Sequence, residues 1–146
     1  MTATPERELA AAQTALAAEH AAIYGYAVVG AHLSGDERAR AIAVYQAHRR
    51  RRDELARLIA AEKQAPTPAA AAYRLPFAIE SAQDARKLAA RLEDGLAQAY
   101  AALVAAGGKD MRGLGASALA EAAAMAAGWR GSTTAFPGLA VGAGGN

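Results

Sequence analysis

Cysteine is missing from the 146-residue chain, which excludes disulfides, thiolate metal ligands and a cysteine nucleophile. Aromatic residues are scarce at 5%. No uncharged apolar run reaches the roughly 20 residues that a membrane-spanning helix needs, and Met1-Thr-Ala-Thr-Pro-Glu-Arg-Glu lacks the basic and apolar regions of a signal peptide. A cytoplasmic protein without a membrane partner is the expectation. Charge of one sign is not in excess either: Lys+Arg 16 against Asp+Glu 14 leaves a net charge of +2, too little to point to nucleic acid.

What is there is alanine. Hydrophobic residues make up 53% of the chain with few aromatics among them, and alanine favours the helix above all other residues while letting helices approach closely. The composition indicates an all-α protein, and the length suits a single domain over residues 1–146.

Four helices are expected. Thr4 can cap and Pro5 suits the first position of helix 1, which runs over about 5–33 with Gly25 and Gly30 inside it. Ser34-Gly35 is a short break that places helix 2, about 36–64, antiparallel beside it. Residues 65–80 carry Pro66, Pro68 and Pro76 and read as a crossover tacked down by Tyr73, Leu75 and Phe77. Ser81 caps helix 3, about 81–106; Gly107-Gly108 stops it, and helix 4 spans about 110–129. A glycine-rich tail follows at 131–146, in which Phe136, Leu139 and Val141 are expected to dock.

Charged residues interrupt the apolar stripes. Leu9, Leu16 and Ile23 recur at heptad spacing, and Glu19 lies three residues after Leu16 and four before Ile23, so it points along the stripe. On helix 2, His48 and Arg51 project into the face that Val44, Leu55 and Ile59 define. Glu93 lies beside the Leu88, Leu92, Leu96 stripe of helix 3, and Glu121, seven residues after Leu114, is expected to face inward. His20 flanks Glu19, while His32 suits the negative end of helix 1. Arg49 to Arg52 are followed at once by Asp53 and Glu54, which favours a self-paired surface over a phosphate- or nucleic-acid-binding patch. No Ser-His-Asp set and no phosphate-loop pattern can be assembled.

The short first connection, long crossover and short last connection resemble the ferritin-like variant of the four-helix bundle. Ala18-Glu19-His20-Ala21-Ala22-Ile23-Tyr24-Gly25-Tyr26, His48-Arg49-Arg50-Arg51-Arg52-Asp53, Tyr73-Arg74-Leu75-Pro76-Phe77 and the stretch from Trp129 to Gly138 are similar to an uncharacterised ferritin-like family, a domain of unknown function. The resemblance implies an antiparallel bundle and a metal site built from a Glu on each of two helices and a Glu-x-x-His on each of the other two. Glu19 and Glu93 stand where the single acids would be. His48 and Glu121 stand in the other two motifs, but Tyr45 or Arg51 and Ala124 occupy the matching positions, so both motifs are broken.

The expectation is therefore a degenerate site whose acids Arg51 balances, in a non-catalytic structural or binding module that forms a homo-oligomer, a dimer, and carries no cofactor. The alternative is an iron- or manganese-dependent oxidase or iron-handling protein with Glu19, His48, Glu93 and Glu121 as ligands, helped by Tyr45 or His20.

Overall fold

Thr4 opens the first helix by accepting a hydrogen bond from the Arg7 backbone N–H at 3.3 Å, with Pro5 at the first helical position. This is seen in a computed structural model that describes residues 4–133. Four helices follow one another: α1 (Pro5–Ala31), α2 (Gly35–Ala61), α3 (Ala82–Ala106) and α4 (Lys109–Thr133). The protein is an all-α four-helix bundle.

The first connection turns on Gly35, whose φ of +57° lies in the left-handed region that favours glycine. α2 is shorter at its end than the pattern suggests, because the chain leaves the helix through Glu62 and the left-handed Lys63 ahead of Pro66. Ser81 caps α3 through the Asp84 N–H at 3.0 Å, and Asp84 reaches back to the Glu80 N–H at 3.1 Å. These reciprocal bonds fix the entry as a capping box does. α4 continues past Trp129 to Thr133, its last turn tied to α3 by an ion pair between Arg130 and Asp94. The expected tail from 131 thus begins inside a helix, and Phe136, Leu139 and Val141 lie outside the described residues.

The crossover climbs α1 by named contacts. Gln13 donates to the Ala65 carbonyl at 2.8 Å and accepts from the Thr67 N–H and hydroxyl at 2.8 and 2.7 Å. Two turns further along α1, His20 Nε2 meets the Thr67 carbonyl at 2.8 Å, and Tyr24 packs against Tyr73. The packed pairs run antiparallel: on α1 and α3 Glu19 meets Tyr100 while Tyr26 meets Glu93, on α3 and α4 Asp94 meets Arg130 while Val104 meets Gly115, and the short turn at Gly35 reverses α2 against α1.

The core is a column of alanine and leucine with Trp129, Tyr26 and Tyr100 as its largest buried side chains. α1 packs on α2 and α3, and α3 packs on α4, whereas the α2 and α4 backbones scarcely meet. Two arginines bridge that fourth seam instead. The Arg40 guanidinium lies 4.3 Å from the Trp129 ring centroid, and Arg51 pairs with Glu121 at 2.7 Å.

Candidate functional site

Two carboxylates lie in this apolar column, and Glu19 and Glu93 are each only 1% exposed. Charges buried this deeply need partners, and the helices supply them in a repeated pattern. Tyr26 follows Glu19 by seven residues on α1, and Tyr100 follows Glu93 by seven on α3, so each pair shares a helix face two turns apart. Because the helices are antiparallel, each phenol meets the other helix's acid. Tyr26 donates to Glu93 Oε1 at 2.6 Å and Tyr100 to Glu19 Oε1 at 2.5 Å.

His48 enters from α2 between the two acids. Its Nδ1 stands 2.7 Å from Glu19 Oε2 and its Nε2 2.8 Å from Glu93 Oε1. An imidazole that faces carboxylates with both ring nitrogens satisfies them only as the doubly protonated cation. Burial pulls the His48 pKa down, but the hydrogen bonds and charges of Glu19 and Glu93 outweigh it and push the group up to about 9. Burial, reinforced by the neighbouring Glu93 and Glu19 charges, raises Tyr26 and Tyr100 far above the ordinary phenol range, so both remain hydrogen-bond donors. Trp129 completes the chain by donating from Nε1 to the Tyr26 oxygen at 2.9 Å. Trp129, Tyr26, Glu93, His48, Glu19 and Tyr100 thus form one polar thread through all four helices. The Glu19 Oε2 oxygen remains its loose end: close to His48, buried, and accepting no aligned hydrogen bond.

The structure brings Glu19, His48 and Glu93 together and leaves Glu121 outside. Glu121 is 68% exposed and pairs with Arg51 at the rim, contrary to the inward orientation expected of it. The reason is that α4 turns Met111, Ala118, Ala122, Ala126 and Trp129 inward, which carries Glu121 to the α2 side, where no backbone packs. Arg51 therefore balances Glu121, and His48 rather than Arg51 balances the buried acids. Glu93, expected beside its stripe, is central. His20 holds the crossover, His32 Nδ1 bonds the Val28 carbonyl at 2.9 Å near the end of α1, and Tyr45 lies under Arg49, its ring centroid 5.8 Å from the guanidinium. In the arginine run, Arg52 pairs with Asp53 at 2.9 Å and Arg49 with Gln46. In the sequence, Tyr26, Tyr100 and Trp129 are indistinguishable from core packing. The signal that singles out the two tyrosines is the Glu-x6-Tyr spacing shared by two helices.

The ferritin-like resemblance implies a two-metal centre, and the donor set as arranged does not fit one. Both His48 nitrogens face carboxylates at ion-pair distance, Glu121 is held at the rim by Arg51, and no group of three or more His, Cys, Asp or Glu among the described residues is placed to hold an ion.

A cleft of about 460 Å³ opens over this thread along the unpacked α2–α4 seam. Glu19, His48, Glu93 and Tyr100 form its floor, with Val44, Ala118, Ala122 and Met125 among its walls. Among the described residues no helix is long and apolar enough to cross a membrane.

The profile of a domain of unknown function, DUF4439, matches residues 11–141. Among solved structures, the chain is similar to a conserved hypothetical protein, rv2844, from Mycobacterium tuberculosis, with 38% identity and a TM-score of 0.84 over 87% of this chain and 97% of that one. No curated protein matches.

Proposed function

The chain belongs to the DUF4439 family, and we propose that it is a ferritin-like, non-catalytic binding module in which a protonated histidine stands where a metal centre would otherwise balance the buried acids. The observation that carries this reading is His48 held 2.7 and 2.8 Å from Glu19 and Glu93. A two-metal centre brings about four positive charges, and two carboxylates that already share one imidazolium have little need of them. The cleft above the thread supplies the binding surface. A homodimer joined through the exposed small face of α4, which Gly113, Ala116, Ala120 and Ala123 present, belongs to the same reading, as does a cytoplasmic location.

Elemental analysis of untagged protein after anaerobic loading with ferrous iron and desalting tests it. The expected outcome is no retained iron. About two irons per chain would favour the second reading, an iron- or manganese-dependent oxidase, for which the buried and closely placed Glu19 and Glu93 carboxylates are the supporting observation. Sedimentation tests the dimer separately, since a monomer at micromolar concentration would remove that part of the proposal alone.

A further inference from the structure

With no cysteine in the chain, its sulfur chemistry lies in three methionines. Met1 lies outside the described residues. Met111 is 7% exposed and packs into the core at the start of α4. Met125 differs in the property that decides reactivity: it is half-buried and lines the wall of the α2–α4 cleft, so a small oxidant that enters the cleft reaches it.

Its sulfur also has a neighbour from the opposite helix. Arg40 Nη2 of α2 lies 3.8 Å from Met125 Sδ, and the same guanidinium stacks over Trp129, one turn further along α4. A thioether is only a weak acceptor. Among the described residues no carboxylate stands at ion-pair distance from Arg40, because Glu37, three residues earlier on α2, is committed to Arg86 in a fork with both bonds at 2.7 Å. Arg40 therefore carries its charge across the seam that backbone packing leaves open, and meets there an aromatic face and a weak acceptor in place of an anion.

We propose that Met125 is a site of reversible oxidation by a small hydroperoxide, and that its sulfoxide latches α2 to α4 through Arg40. With hydrogen peroxide, a sulfur lone pair attacks one peroxide oxygen and the O–O bond breaks as the S–O bond forms. The departing hydroxide takes the proton of the transferred oxygen and leaves as water, so that sulfur is oxidised and the peroxide reduced. The new oxygen bears partial negative charge beside the guanidinium, and the weak N–H···S contact gives way to a charge-assisted N–H···O bond. Ala118 and Ala122 on the same wall leave room for the added atom. A sulfoxide usually disrupts the packing in which it forms. Here its donor is already in place, and oxidation tightens the seam. Reduction by an enzyme of the methionine sulfoxide reductase class returns the thioether. None of this depends on how the buried acids share His48.

The test treats the full chain with hydrogen peroxide and follows it by peptide mass mapping, urea unfolding and amide exchange. Met125 is expected to gain one oxygen before Met111 does. Protein oxidised at Met125 alone should keep or raise its urea midpoint, with slower amide exchange in α2 than before treatment, and methionine sulfoxide reductase should restore the original exchange. Two variants separate the latch from the modification. Met125→Leu should show neither change under peroxide. Arg40→Ala should still be oxidised at Met125, but its sulfoxide has no donor across the seam, and its urea midpoint should fall on oxidation. Oxidation of Met111 ahead of Met125, a midpoint that falls in the oxidised parent chain, or the same response in the parent chain and Arg40→Ala would each overturn the proposal.

Discussion

His48 is the cation that both buried acids share, 2.7 Å from Glu19 and 2.8 Å from Glu93. Its pKa of about 9 in the folded protein lies above the ordinary histidine value of about 6.5. The stabilisation it supplies is therefore fully present below about pH 6.5 and is lost as the pH rises through about 9. Urea unfolding between pH 6 and 9.5 should show stability falling across that window by on the order of 3 kcal/mol, and His48→Gln should abolish the slope. His48→Ala strands two buried acids and is expected to cost about 3–5 kcal/mol or prevent folding at 37 °C. Tyr26→Phe and Tyr100→Phe each remove one donor from a carboxylate, at a cost of about 1–3 kcal/mol in chemical denaturation. At this scale the sequence was partly legible. Glu19 and His48 stand out because each interrupts an apolar stripe, which makes burial the simplest placement. Their tyrosine partners were not separable from core packing, since a phenol at a core position reads the same whether or not its oxygen has a partner.

The elements differ in how firmly they are held. α2 packs closely on α1 alone and is tied across the open seam by Arg40 and Arg51. Arg40→Ala removes the cation stacked on Trp129 and should cost about 1 kcal/mol, with faster amide exchange in α2 than in α3. Two glycines of α1 make a paired prediction. A Cβ at Gly25 would overlap the Leu92 side chain, so Gly25→Ala must displace Leu92 and is expected to destabilise by about 1–3 kcal/mol. Gly30 has nothing within 4 Å of such a Cβ, so Gly30→Ala should stabilise by up to about 1 kcal/mol through helix propensity. Thermal melts of the two variants should move in opposite directions. The sequence does not separate the two glycines, because propensity does not tell which side of a helix meets a neighbour. The same ambiguity misplaced Glu121: α4 is so rich in alanine that its periodicity does not fix which stripe faces the core.

For the whole molecule, the bundle was readable from its connections. Ser34-Gly35 is too short to do anything but reverse the chain, and the proline-bearing stretch before Ser81 is long enough to climb the bundle, as its bonds to Gln13 and His20 show. The open fourth seam was not readable, because it depends on how α2 and α4 diverge in space, which no local pattern encodes. That seam turns a closed bundle into one with a cleft, and the polar thread beneath it joins all four helices through one proton-bearing ring. The most direct test of this account is nitrogen-15 NMR of the His48 imidazole in untagged protein, titrated from pH 6 to 10. Both ring nitrogens should carry protons at pH 7.5 and lose one with a midpoint near 9. A His48 that titrates at or below about 6.5, or whose signals are broadened or shifted by a bound metal, would contradict it.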